Sequence, residues 1–287
     1  MLSKELTKIS HICLIAGDGQ LPILVANELV KQKKQLSILC FDKKNTLYFQ
    51  SHKYLVQQIS LENITAILKL IKQTKTSHVI CCGGLYFPGV KNIRLMQLPL
   101  IRFFKYIIKI IFSKQKGDNF LLNLAEQMLT DAGCQVLSVQ DVLPQLLCSK
   151  QDSINLNLSR KYNKDITLGA NILNHNSKFD IGQAIVIKNG RIIGIEGIEG
   201  TKELINRCGR YCNKVKHSME KPVLIKMSKL HQNMKLDVPT IGEDTIKDLV
   251  ANNFAGLAIK KNSVFMLHKE RIKQLAQQHN IFIKIIE

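Results

Sequence analysis

The sequence predicts an α/β protein of two domains, a Rossmann-like parallel α/β domain over residues 1–133 and a mixed α/β domain over residues 134–287. A strand, a glycine turn, a helix and a second strand follow one another near the start, and an Asn-Gly hairpin with short apolar strands fills the last third. The chain has 287 residues, where an average domain has ~150, so two domains are expected. With 45% hydrophobic and 22% charged residues it can bury a core, which excludes disorder as its main state.

The elements follow in order. His11 to Ala16 is an apolar run ending at Gly17-Asp18-Gly19, residues 21–31 carry apolar side chains at helical spacing, and residues 36–41 form a second strand closing on Asp42. Residues 61–72 read as a helix. Residues 78–82 read as a buried strand that ends in Gly83-Gly84, so the first domain is a parallel sheet with crossover helices. Residues 101–112 interleave apolar side chains with Arg102, Lys105 and Lys109. Such a helix either packs while its cations snorkel to water, or lies in a membrane interface with its cations on anionic headgroups. After a polar break at 113–118 comes a helix over 120–130, stopped by Gly133; residues 135–139 start a new strand, which places the domain boundary there.

Residues 149–166 are polar and irregular. Two apolar segments, 183–188 and 191–196, flank Asn189-Gly190, the strongest short hairpin signal a sequence offers. A strand over 223–227 follows. Thr240-Ile241-Gly242-Glu243 matches a capping box opening a helix to about residue 253. Short strands over 257–259 and 264–267, a helix over 269–279 and a last strand over 281–286 complete an α/β half with antiparallel pairing and no internal repeat.

Forty-one Lys and Arg stand against 22 Asp and Glu, a formal charge of +19 that attracts polyanions, anionic lipid headgroups or phosphorylated small molecules. The lysines are scattered, Trp is absent and no nucleic-acid module is present, so no nucleic-acid partner is expected. The eight cysteines sit mostly inside apolar runs, as buried free thiols of a reducing compartment do. Cys208 and Cys212 have no second pair and no suitably placed His, which speaks against zinc. No secretory leader and no run of ~18 apolar residues occurs, and a cytoplasmic protein is expected.

Chemistry concentrates in the last third. Apolar strands there deliver acids, amides and lysines into neighbouring turns, as a site for a charged, phosphate-bearing substrate requires. Glu196, Glu199 and Asp237 are carboxylates suited to hold Mg²⁺ or another divalent metal, or to activate a water. Lys226, Lys229 and Lys235 suit phosphate oxygens on which charge develops. Gln183, Thr201, Gln232, Thr240 and Gly242 lie among them, and taken singly each charged residue also fits a solvated turn. Near the N-terminus, Gly17 and Gly19 offer backbone N–H groups to a phosphate, and Asp42 mimics the ribose-binding acid of a dinucleotide fold. Pro22 stands where the third glycine of that fingerprint belongs. Gly117-Asp118 lacks the His-bearing companions of a binuclear metallophosphoesterase, no Nudix helix occurs, and Asp118 fits a helix start.

The segments Leu14-Ile15-Ala16-Gly17-x-Gly19-x-Leu21-Pro22, Gly117-Asp118 with Leu121-Leu122, and Asp180-x-Gly182-Gln183 carry a likeness that continues through Glu196-Gly197 and Glu199-Gly200-Thr201. With Asp237-x-Pro239-Thr240-Ile241-Gly242 and Thr245, in that order, the chain resembles the LpxI-type UDP-2,3-diacylglucosamine diphosphatases of lipid A synthesis. The resemblance implies Mg²⁺-dependent hydrolysis of the diphosphate of UDP-2,3-diacylglucosamine to UMP and 2,3-diacylglucosamine 1-phosphate, with water attacking the sugar-side phosphorus. It implies two α/β domains with the lipid held between them, and Asp237 as the catalytic acid, either metal ligand or water activator. It further implies a cytoplasmic enzyme in peripheral contact with the cytoplasmic leaflet of the inner membrane of a Gram-negative bacterium; a homo-oligomer is compatible with it. Two positions depart from the pattern: Asp18, and Asn119 where a second acid is expected. The alternatives are a non-enzymatic binding protein for anionic lipid and a dinucleotide-dependent oxidoreductase.

Overall fold

The computed structural model describes residues 4–60, 63–84, 106, 118–179, 181–214, 220–229 and 232–287. These form two compact units, Met1–Pro144 with Asn233–Asp237, and Gln145–Gln232 with Val238–Glu287.

In the first unit, β1 (His11–Ala16), β2 (Gln35–Cys40), β3 (Val56–Gln58), β4 (His78–Cys82) and β5 (Gln135–Leu137) form one sheet in the order β3-β2-β1-β4-β5. Every pairing is parallel, with Cys13 opposite both Ser37 and Val79. This is the strand order of a doubly wound sheet. Central β1 is buried on both faces, which is why it reads as an unbroken apolar run rather than an alternation. On one face Cys13, Ile15, Val79 and Cys81 pack against Ile67, Ile71 and Leu129. The helices Leu21–Lys31 and Ile64–Gln73 lie where the periodicity places crossovers. The helix Lys43–Ser51 and β3 carry too few apolar residues to announce themselves.

One boundary differs from expectation. The strand expected to open the second domain is β5, and it closes the first sheet by pairing with β4, Val136 opposite Val79. The helix Asp118–Asp131 reaches it through Gly133, whose φ of +90° suits the stop read from the sequence. The described part of that helix begins at Asp118. The basic helix over 101–112 lies outside the described residues apart from Tyr106, a buried side chain whose hydroxyl donates to Asp131 Oδ2 at 2.7 Å.

In the second unit, β6 (Ala184–Lys188), β7 (Arg191–Ile195), β8 (Val223–Lys226), β10 (Gly256–Lys260) and β12 (Phe282–Ile286) run in the order β12-β10-β8-β6-β7. The strands β8, β10 and β12 are parallel, and β6 is antiparallel to both β8 and β7, so the sheet is mixed. A separate parallel pair joins β9 (Thr240–Ile241) to β11 (Phe265–Met266). Alternation along β6 sends Ala184 and Val186 toward Leu204, Ile246 and Ile272, and Ile185 and Ile187 toward Ile166 and Leu173. Each face is therefore covered by helices.

The hairpin forms where Asn189-Gly190 predicts it, both residues at positive φ, 52° and 71°. Asp165 fixes the turn from outside, accepting from Asn189 N at 2.9 Å and Gly190 N at 2.7 Å. Asp165 belongs to the helix Asn163–Asn176, whose start overlaps the stretch expected to be irregular. Only Ile166 and Leu173 among its large side chains are fully buried, too thin a stripe to reveal a helix by periodicity. The helix Gly200–Lys214 explains the paired cysteines: Cys208 and Cys212 are one helical turn apart on its buried face. All eight cysteines are free and buried. The expected cap at Thr240 is corrected. Thr240 is held in β9 opposite Phe265, and Gly242 caps the helix Glu243–Ala251, its N–H donating to Thr245 Oγ1 at 3.4 Å.

Candidate active site

Four residues expected at the site meet in the second unit. Glu196 follows β7, its N–H donating to Ala184 O at 2.8 Å, so its side chain is delivered by the hairpin. Its carboxylate accepts from the Gln183 backbone N–H at 2.7 Å and from the Thr201 hydroxyl at 2.5 Å. Thr201, in the first turn of the helix Gly200–Lys214, in turn accepts from Lys226 Nζ at 2.6 Å. Lys226 is the last residue of β8, with β6 alongside it, and Met227 N donates to Gln183 O at 3.0 Å.

Lys226 and Glu196 are 6% and 8% exposed, so two opposite charges are nearly withdrawn from water with one hydroxyl between them. A buried charge is tolerated only when its partners are well placed, because leaving one unpaired costs several kcal/mol. The chain Lys226 to Thr201 to Glu196 satisfies both ends and fixes the direction of its hydrogen bonds. The position of Glu196 before a helix N-terminus also suits a carboxylate. Such an array orients the Lys226 ammonium group and holds it from swinging away.

The remaining expected residues are distributed. Glu199 is gripped by Arg207, whose Nε and Nη2 donate to Oε1 at 3.1 and 3.0 Å while Nη2 also reaches Ile195 O at 2.7 Å. A hydrogen bond from its own backbone N–H, aided by Arg207, holds its carboxyl below the usual value. Lys229 and Gln232 form a local turn, the backbone N–H of Lys229 donating to Gln232 Oε1 at 2.9 Å. Thr240 donates to Val238 O at 3.0 Å. Asp237 lies in the first unit, its N–H donating to Asn233 O at 2.8 Å.

Gly17 and Gly19 are also in the first unit, in a turn closed on itself. Gly17 N donates to Cys82 O and Asp18 N to Gly84 O, both at 2.8 Å, and Gly19 N to Asp18 Oδ1 at 2.5 Å. Gly17 is indispensable for this approach: a Cβ there would lie 2.3 Å from Gly84 O. Asp42, the ribose-acid mimic, instead caps the helix Lys43–Ser51 by accepting from Asn45 N at 2.7 Å. The turn's N–H groups are thus engaged by the protein rather than presented to a phosphate.

Among the described residues no three His, Cys, Asp or Glu side chains gather as a metal-ligand cluster. Mg²⁺ usually takes one or two protein carboxylates together with substrate phosphates and water, a requirement that isolated acids meet by donor type. Among the described residues no helix is long and apolar enough to cross a membrane.

Two family models match the chain in succession, the LpxI N-terminal domain over residues 11–146 and the LpxI C-terminal domain over residues 152–284. The chain belongs to the LpxI family. It is similar to the UDP-2,3-diacylglucosamine pyrophosphatase LpxI of Caulobacter vibrioides, 21% identical over 272 residues that span 94% of this chain and 95% of that relative.

The likeness to LpxI is readable because its motifs recur in one order along the whole chain. Arg207, which holds Glu199, was not singled out; its signal is an Arg eight residues after the acid, within a segment now seen as helix. Asn45, whose side-chain amide donates to Gly17 O at 2.8 Å and to Gly19 O at 2.9 Å, was also missed. It is a polar residue on a helix, and nothing in sequence distinguishes it from a solvated one.

Proposed function

We propose that this LpxI-family chain hydrolyses the diphosphate of UDP-2,3-diacylglucosamine, giving UMP and 2,3-diacylglucosamine 1-phosphate. The observation that carries the reading is the match of both LpxI domains, in order, over nearly the whole chain. The buried Lys226–Thr201–Glu196 array supports it, since an anchored cation is what a diphosphate needs.

In this reading a water oxygen bonds to the sugar-side phosphorus, the bond from that phosphorus to the bridging oxygen breaks, and UMP leaves with that oxygen. Asp237 accepts the proton of the water or orients it. Lys226 and Lys229 offset the phosphate charge, with Gln183, Gln232, Thr240 and Gly242 as further substrate contacts. Mg²⁺ would be held by the Asp237 carboxylate with diphosphate oxygens, where it would supply Lewis acidity. Glu199 is a second carboxylate of the right donor type, held by Arg207 in this structure. The charge of +19 suits a protein that collects its substrate from an anionic cytoplasmic leaflet.

The test is UMP release by the purified chain from UDP-2,3-diacylglucosamine, with Mg²⁺ and with excess chelator, beside Asp237→Ala. Release that needs both the metal and Asp237 supports the proposal; folded protein that binds anionic vesicles and releases no UMP with any divalent metal refutes it in favour of lipid binding.

A further inference from the structure

We infer that Asn233, Glu126 and Asn123 are positioning residues that hold the Asp237 turn in place, an inference that rests on the reading of Asp237 as the catalytic acid. The chain leaves the second unit after Gln232, contributes Asn233–Asp237 to the first, and rejoins the second at Val238. Five residues are too few to form a core of their own, so their conformation must be imposed by what they touch.

A set of linked contacts imposes it. The Asn233 side-chain amide donates to Glu126 Oε2 at 2.5 Å and to Asn123 Oδ1 at 2.9 Å, both on the helix Asp118–Asp131. Lys235 Nζ sits 3.0 Å from the other Glu126 oxygen, so one carboxylate holds two points of the strap. Asn233 Oδ1 accepts from Lys235 N at 3.1 Å and Leu236 N at 3.2 Å, folding the strap into a turn. Leu236 packs against the core cluster that contains Ile15, Val79 and Leu129.

The Asp237 amide then closes the turn on Asn233 O at 2.8 Å. Asn233 thus faces both ways: its main chain and Oδ1 shape the turn that ends at Asp237, and its amide nitrogen fastens that turn to the helix. An exposed loop needs no such arrangement to exist. A catalytic carboxylate does, because reacting groups displaced by about 1 Å lose on the order of a hundredfold in rate.

The experiment exchanges donor and acceptor across the clamp in the full-length protein. Asn233→Asp keeps the oxygen that accepts from Lys235 and Leu236 but sets two carboxylates against each other. The expected result is a kcat about tenfold to a hundredfold lower with KM within about twofold, the pattern of misplaced chemistry rather than lost binding. Adding Glu126→Gln restores a donor opposite an acceptor, and kcat should recover by at least about tenfold relative to Asn233→Asp alone. Hydrogen exchange at the Asp237 amide should quicken in Asn233→Asp and slow again in the double variant.

Asp237→Ala is assayed alongside. If it is inactive while Asn233→Asp turns over like wild type, the positioning inference falls and the role of Asp237 stands. If Asn233→Asp is slow with unchanged exchange at Asp237, or is not rescued by Glu126→Gln, the inference likewise falls. If Asp237→Ala keeps wild-type turnover, the catalytic reading falls and takes this inference with it.

Discussion

Removing one oxygen atom from Thr201 tests whether the buried Lys226–Thr201–Glu196 array is a linked unit. Thr201→Val keeps the β-branched shape and nearly the volume of the side chain, so no cavity term enters. What disappears is the donor to Glu196 at 2.5 Å and the acceptor for Lys226 at 2.6 Å. Hydrogen bonds to charged groups contribute about 1.5–3 kcal/mol each, and both charges here are more than nine-tenths buried. Using the lower bound twice, Thr201→Val should destabilise the second unit by about 3 kcal/mol. For a unit of this size that is a fall in Tm of roughly 6–12 °C. Urea unfolding followed by circular dichroism measures it directly, with Thr201→Ser as the control expected to cost about 1 kcal/mol or less for its missing methyl. A Thr201→Val protein within about 0.5 kcal/mol of wild type would mean that the two charges find water or each other without the hydroxyl, and the linked-array argument would be wrong.

Two further outcomes follow from other parts of the structure. Gly17→Ala drives a Cβ to 2.3 Å from Gly84 O and 2.9 Å from Gly83 C, backbone atoms that cannot rotate away. It should lower the stability of the first unit by about 3 kcal/mol or more, read from the urea midpoint, and a tolerated alanine would show that the two glycine turns are not interlocked. Asp152 is buried, which by itself raises its carboxyl pKa, yet hydrogen bonds from Lys269 at 2.8 Å and from Ser149 outweigh that and hold it below the ordinary 3.8. A depressed folded-state pKa contributes stability above the unfolded value that is lost as pH falls through the folded one. Asp152→Asn should therefore be less stable than wild type at about pH 7, the gap narrowing at about pH 3 and below. An equal gap at both pH values would contradict the assignment.

Much of the fold was legible because burial leaves marks in sequence. A strand buried on both faces, as β1 is from Ile12 to Ala16, has to be apolar there, and a type I′ turn needs residues like Asn189 and Gly190 that accept positive φ. The helix Asn163–Asn176 left no such mark, since it buries a narrow stripe and one of its inward residues is Asp165, whose work is to hold a distant hairpin. The domain boundary misled for a related reason: β5 is three residues long and its identity lies in pairing with β4, a contact between distant parts of the chain. At the site, Glu196, Thr201, Lys226 and Gln183 were named from residue type, but their hydrogen-bond order was not, because it depends on three elements meeting. The glycine turn shows the opposite failure. Its pattern suggested open N–H groups, and the partners that engage them, Cys82 and Gly84, are supplied from a different strand end.

The buried cysteines have a practical consequence. Thiolates, not thiols, attack alkylating reagents, and burial pushes the Cys13 thiol to about 12 and Cys208 to about 11, with the other thiols also raised. The folded chain is therefore chemically quiet toward such reagents, although no sulfur is protected by a bond. Cys13, Cys40, Cys81, Cys82 and Cys134 belong to the first unit, and Cys148, Cys208 and Cys212 to the second. Each unit carries its own native set of latent labels, and a pulse of iodoacetamide during unfolding, read by mass spectrometry, records which of the two opens first.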